Sequence, residues 1–235
     1  NSLVETHELT QVLASGAERI ISYSPVFVTE RGVQSLSFSI ETVNGEVSDD
    51  QPENNTLLHE INVPFRANLP VFETFSSFPA NWSTYNPDKL FTWELNAAPS
   101  ITPANQAIAL RFFTHGEVVI GATDYLLSPL LDFTTAEAPE LFFRYAYAMK
   151  NEAFYEDEFK IIYSTDCGKT FPESNTLLHL KGSQLATATS RNNQFVPAGA
   201  QDWTSRTIDL SLLKGLSDIQ IAFIGINGRG NNLYL

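Results

Sequence analysis

The run Asp157–Phe171, DEFKIIYSTDCGKTF, constrains this chain more than any other. Phe159, Ile161 and Tyr163 alternate with Lys160, Ile162 and Ser164, the period of two expected of a β-strand. The strand runs into Ser164-Thr165-Asp166-Cys167-Gly168-Lys169-Thr170-Phe171. In such a turn the Asp carboxylate accepts loop amides, Gly supplies a positive φ, and the aromatic residue pins the hairpin to a core. That pattern marks a β-protein before it marks an activity.

The same period recurs along the chain. In residues 71–235, strands are expected at Val71–Phe75, Phe91–Leu95, Ala107–Phe113, Glu117–Ile120, Tyr125–Leu127, Glu140–Met149, Glu158–Ser164, Asn175–Lys181, Trp203–Asp209, Ile219–Ile226 and Asn232–Leu235. Only Asp209–Leu216 reads as a helical turn. In residues 1–63, Glu8–Leu13, Arg19–Val28, Val33–Val43 and Thr56–Val63 read as strands, punctuated by Gly16, Gly32 and Asn44-Gly45. Four strands fall short of an immunoglobulin-like sandwich, so this unit is expected to be incomplete at its start. Residues 64–70, between Pro64 and Pro70, read as a short linker. Its Phe65 and Leu69 make it too apolar to hang free, so the two units are expected to pack. A 43% hydrophobic content with 17 Phe supports a substantial core of strands rather than disorder.

Charge narrows the partners. The net charge is −13, with 14 basic against 27 acidic residues. No basic stripe exists to neutralise phosphates, which argues against nucleic acid and against an anionic membrane surface. No apolar run approaches the ~20 residues of a membrane-spanning helix. Acidity suits a soluble surface and oxygen-rich Ca²⁺ sites. The single cysteine, Cys167, cannot form an internal disulfide and reads as a turn residue. The histidines, His7, His59, His115 and His179, form no H-E-x-x-H or close pair, and no G-x-S-x-G occurs. The Gly-rich Gly225–Asn232, GINGRGNN, joins two strands and lacks the strand-to-helix setting of a phosphate cradle. The chain begins Asn1-Ser2 without Met, and Asn231–Leu235 reads as a strand with no turn after it, so it is expected to be a segment of a longer protein.

Three resemblances add to this reading. The Ser164–Phe171 turn is S-x-D-x-G-x-T-F and resembles the Asp-box hairpin of secreted β-proteins. Residues 1–63 resemble a CARDB-like immunoglobulin module, through Leu13–Glu18, Arg31-Gly32, and Asn44-Gly45 followed by Asp50-Gln51-Pro52-Glu53-Asn54-Asn55. Residues 71–235 resemble the MAM-like jelly rolls of exported Bacteroidetes proteins, the choice-of-anchor J or cleaved-adhesin type. The landmarks are Phe72-Glu73-Thr74-Phe75, Phe78-Pro79-Ala80-Asn81-Trp82, Trp93, Asp124–Pro129, Leu141–Tyr145, Asp157–Ser164, Trp203, Ile208-Asp209-Leu210, Ile221-Ala222-Phe223 and Asn232–Leu235. Together they imply an all-β protein, a partial immunoglobulin-like sandwich followed by a jelly roll truncated at its C-terminal end.

The resemblance also implies structural calcium, with Glu73 and Asp157 as ligands and Asp124 as a third. It implies a non-catalytic adhesion or spacer segment of a secreted or cell-surface bacterial protein, carried by the type IX route. Partners would be secretion machinery, surface or host proteins, or glycans. The alternatives are accessory domains of a secreted metallopeptidase and a carbohydrate-binding module. For glycan contact the loop aromatics Tyr85, Tyr147, Phe154 and Tyr155 are the candidates, whereas Trp82, Trp93 and Trp203 are expected to pack.

Overall fold

The computed structural model describes residues 4–25, 31–42, 51–98, 106–115, 120–151 and 156–235. Its strands are β1 (Gly32–Ser39), β2 (Thr56–Val63), β3 (Arg66–Ala67), β4 (Ser83–Tyr85), β5 (Glu94–Ala97), β6 (Gln106–Leu110) and β7 (Thr123–Leu127). They continue as β8 (Leu130–Leu131), β9 (Glu140–Tyr147), β10 (Glu158–Ser164), β11 (Thr176–Lys181), β12 (Thr204–Asp209), β13 (Gln220–Ile226) and β14 (Leu233–Tyr234). A single helical turn, α1 (Phe112–His115), ends the run after β6, and a 3-10 turn at Ser211–Leu213 lies where a helical turn was expected. The protein is an all-β sandwich.

Two five-stranded antiparallel sheets face each other, in the orders β11-β10-β13-β7-β4 and β12-β9-β14-β6-β5. Alternation decides which side chains meet between them. β10 sends Phe159 and Ile161 inward, β13 sends Ile221 and Phe223, and β9 answers with Phe143, Tyr145 and Tyr147. Phe159 lies 6.0 Å from Phe143, 6.0 Å from Tyr145 and 6.4 Å from Phe223 between ring centroids. β13 is central in its sheet and covered on both faces, so its sequence is a continuous apolar run rather than an alternating one. Its outward Ala222 and Ile224 join Leu127 and Ile162 in a second cluster on the outer face of the sheet. Phe195 and Tyr234 anchor a third cluster on the outer face of the other sheet.

The 64–70 connector is part of the sandwich. Arg66–Ala67 forms β3, which pairs in parallel with β8. Leu130 N donates to Phe65 O at 2.6 Å, and the Arg66 guanidinium pairs with Asp218.

Upstream, β1 and β2 form a two-stranded ribbon with Gly32 opposite Val63 and Ser39 opposite Thr56. Cross-strand partners share a face, so Gln34, Leu36, Phe38, Leu57, His59 and Ile61 lie on one side and Ser35, Ser37, Leu58 and Glu60 on the other. The first side is the apolar one, yet Phe38 is 41% exposed and Leu57 65%. Residues 8–13 and 19–25 carry no strand, contrary to the expectation from their pattern. They double back around an Ala14–Ala17 turn, with Arg19 on Gln11, Tyr23 on His7 and the Ser24 amide on Glu5. These are side-chain contacts between exposed residues, with no ladder and no second layer to fix a strand. The Asn44-Gly45 turn, Asp50, Glu117–Val119 and residues 26–28 lie outside the described residues.

Val71–Phe75 is not a strand either. Glu73 Oε1 accepts the amides of Thr74 and Phe75 at 2.9 and 2.7 Å, and Phe75 adopts a φ of 49°. A local carboxylate thus takes the amides that a ladder would need.

Candidate functional site

Asp157 stands at the start of β10 with no solvent exposure. Oδ1 accepts the amides of Gly228 and Gly230 at 2.7 and 2.9 Å, and Oδ2 accepts the Tyr147 hydroxyl and the Asn231 amide at 2.9 and 2.8 Å. A carboxylate has about four lone-pair sites, and four donors fill them. Through these bonds Asp157 clamps the Gly-rich loop between β13 and β14. The loop glycines serve that clamp, since a Cβ on Gly230 would overlap the Asp157 carboxylate. Burial still pushes the Asp157 carboxyl up to about 6, against the opposing pull of the Gly230 and Gly228 amides.

Asp124, on β7, is the opposite case. It is 1% exposed, and neither carboxylate oxygen has a hydrogen-bond partner. The Thr92 hydroxyl is likewise buried without one. Burial is the main reason that the Asp124 carboxyl is pushed up to about 7. Thr92 is near enough to offset part of the rise without reaching hydrogen-bond geometry, and the Asp88 charge adds to it. The backbone beside it is fixed by Trp93 Nε1, which donates to Asp124 O at 3.2 Å. An orphaned buried carboxylate and an orphaned hydroxyl offer oxygen donors, the chemistry that a hard cation such as Ca²⁺ prefers. Asp88 and Thr92 were not singled out from the sequence; the turn residues of Asn86-Pro87-Asp88 were the only signal there.

Glu73 is partly exposed and is engaged with its own turn through Oε1. Among the described residues, no three of His, Cys, Asp and Glu come together as a metal-sized group. Glu73, Asp124 and Asp157 therefore do not converge on one ion.

The Ser164–Phe171 hairpin folds as its residues dictate. Asp166 Oδ1 accepts Ser164 Oγ and Thr170 N at 2.6 and 2.9 Å, and its Oδ2 accepts Thr170 Oγ1 at 2.7 Å. These bonds hold the Asp166 carboxyl down at about 2, the Ser164 hydroxyl first among them. Cys167 and Gly168 both take positive φ, 62° and 84°. Gly168 is further required because a Cβ would run into the Gln220 side-chain oxygen.

The aromatic candidates separate. Tyr147 is fully buried beneath the Asp157 clamp, and Phe154 and Tyr155 lie outside the described residues. Tyr85 is 56% exposed on the edge strand β4. The tryptophans pack as expected: Trp93 is buried, Trp82 lies against Phe75 and Phe223, and Trp203 lies against the Phe195 cluster.

No family model and no curated protein matches the chain. Among solved structures, it is similar to the K1 cleaved adhesin domain of Lys-gingipain from Porphyromonas gingivalis. The identity is 19% over 67% of this chain and 91% of that one, with a TM-score of 0.42. The K3 domain of the same protein gives 17% identity over 66% and 86% of the two chains, with a TM-score of 0.41. A structure of carbohydrate-binding modules from the β-sandwich superfamily gives 12% over 87% and 72%, with a TM-score of 0.37. These likenesses are distant, and no function passes to this chain through them.

Proposed function

We propose that this chain is a non-catalytic adhesion and spacer segment of a large secreted or cell-surface bacterial protein, exported by the type IX route. The observation that carries the reading is the connector. Because β3 pairs with β8, the connector that follows the ribbon is held to the sandwich by backbone hydrogen bonds. A connector held in this way supports the reading of a spacer. Support for the bacterial exterior is the ordered set of landmarks in residues 71–235. Calcium stiffening belongs to the same proposal, with Asp124, Asp88 and Thr92 as its ligands.

A carbohydrate-binding reading is favoured by one specific observation, the solvent-facing Tyr85 on the edge of a sheet. The test of the main reading uses beads coated with the whole chain. They are offered to protein-coated and polysaccharide-coated surfaces, while the released solution is assayed for peptide and glycosidic cleavage. Retention without cleavage is expected; cleavage that follows the purified chain, or no retention on any surface, overturns the reading.

A further inference from the structure

The outer face of the β11-β10-β13-β7-β4 sheet carries a row of three large rings. Tyr85 on β4 lies directly across the ladder from Tyr125 on β7, with centroids 5.4 Å apart. Phe171, folded back by the hairpin after β10, lies 6.2 Å beyond Tyr125. Tyr125 and Phe171 are half-buried over the Leu127, Ile162, Ala222 and Ile224 cluster, whereas Tyr85 projects from it. Covering that cluster accounts for Phe171 and Tyr125. It does not account for Tyr85, since an outward position on an edge strand ordinarily carries a polar or charged residue. On the same outer face, Lys160 of β10 bonds both oxygens of Glu173 at 2.9 Å, and Glu173 remains 79% exposed. Burial first, then the Tyr85 hydroxyl and the Glu173 carboxylate, push the Tyr125 hydroxyl up, and Glu173 follows Phe171 by two residues in the chain.

We propose that the Tyr85–Tyr125–Phe171 row is a binding platform for a single chain of a neutral, hydroxyl-rich glycan. The proposal rests on the carbohydrate reading above and gives it a site. Sugar C–H faces pack on aromatic rings, while a tyrosine hydroxyl and an ion pair offer donors and acceptors to sugar hydroxyls. The local charge is balanced, and a net charge of −13 repels anionic glycans. Successive rings are tilted by 49° and 43°, so the row presents no common plane. Such a surface follows the twist of the sheet and fits a soluble chain that turns, rather than the flat face of a crystalline polysaccharide.

Affinity electrophoresis of the whole chain in xyloglucan, galactan and mannan tests this, with alginate as the anionic comparison and insoluble cellulose as the crystalline one. At least one soluble neutral polysaccharide is expected to retard the chain. Tyr85→Ala should weaken that binding by about tenfold. Phe142→Ala, which removes a 58% exposed ring from the opposite sheet, should leave it unchanged. Failure of all three neutral polysaccharides overturns the carbohydrate reading itself. Binding that survives Tyr85→Ala, that is lost in Phe142→Ala, or that prefers alginate or cellulose leaves that reading standing and overturns the platform.

Discussion

Phe38 and Phe223 both occupy the apolar face of a β-strand, and they meet different fates. Phe223 is 5% exposed, with Phe143, Phe159 and Trp82 around it. Phe38 is 41% exposed, with Tyr23 as its ring neighbour at 5.8 Å. The difference runs through the two regions. Among the described residues, the buried apolar side chains all lie between Pro79 and Leu235, and none lies in the ribbon. A strand pattern needs a second layer before it yields a core, and an isolated two-stranded ribbon is marginal in water. The ribbon has a correct amphipathic register and one layer; the sandwich has two layers and a core between them.

The largest expected effect is a paired truncation. Phe223→Ala should destabilise the sandwich by about 4 kcal/mol, the loss of a buried ring together with the cavity it leaves. Phe38→Ala should cost about 1–2 kcal/mol, less than half of that, because its ring stays 41% exposed and leaves no enclosed cavity when removed. Chemical denaturation of both variants checks this. A Phe38→Ala loss as large as the Phe223→Ala loss would break the comparison and mean that the ribbon is packed against a second layer.

A smaller effect belongs to two buried acids of the sandwich. Asp124 and Asp157 have carboxyls raised to about 7 and about 6. A raised carboxyl means that the folded state holds the proton more tightly than the unfolded chain. Stability therefore falls as pH rises from about 4 through 7, and levels off above that. Asp166, held at about 2, has the opposite sign and acts below about 4, outside this window. Melting temperature against pH should show the decline between 4 and 7. Asp124→Asn should flatten much of it. Millimolar Ca²⁺ should offset the decline in the unaltered chain and do nothing in Asp124→Asn. An unaltered chain whose stability rises across that window would count against the orphaned carboxylate.

How much of this could be read in advance depended on the distance between partners. β10 and the Ser164–Phe171 turn were legible because their determinants are local: alternation at Phe159, Ile161 and Tyr163, and an Asp, a Gly and an aromatic within eight residues. β2 was legible for the same reason. The role of Asp157 was not, since its amide donors sit more than 70 residues downstream in a loop that reads as Gly-rich punctuation. The aromatic row was hidden likewise, because pairing between β4 and β7 sets Tyr85 against Tyr125, and the Asp124 environment because Thr92 lies far upstream of it in the chain. Tyr147 misled because it precedes a loop, yet it shares the inward parity of Phe143 and Tyr145 on β9. β3 is two residues long, too short for any periodicity to register.

Native-state hydrogen exchange on the whole chain tests most directly the claim that the sandwich stands by itself while the ribbon does not. The ladder amides of Phe159–Ile162 and Ile221–Ile224 should exchange only through global unfolding. Those of Gln34–Phe38 should exchange orders of magnitude faster through local opening. Equal protection in β1 and β13 would contradict the account, because it would require the ribbon to share a core that its exposed Phe38 and Leu57 do not have.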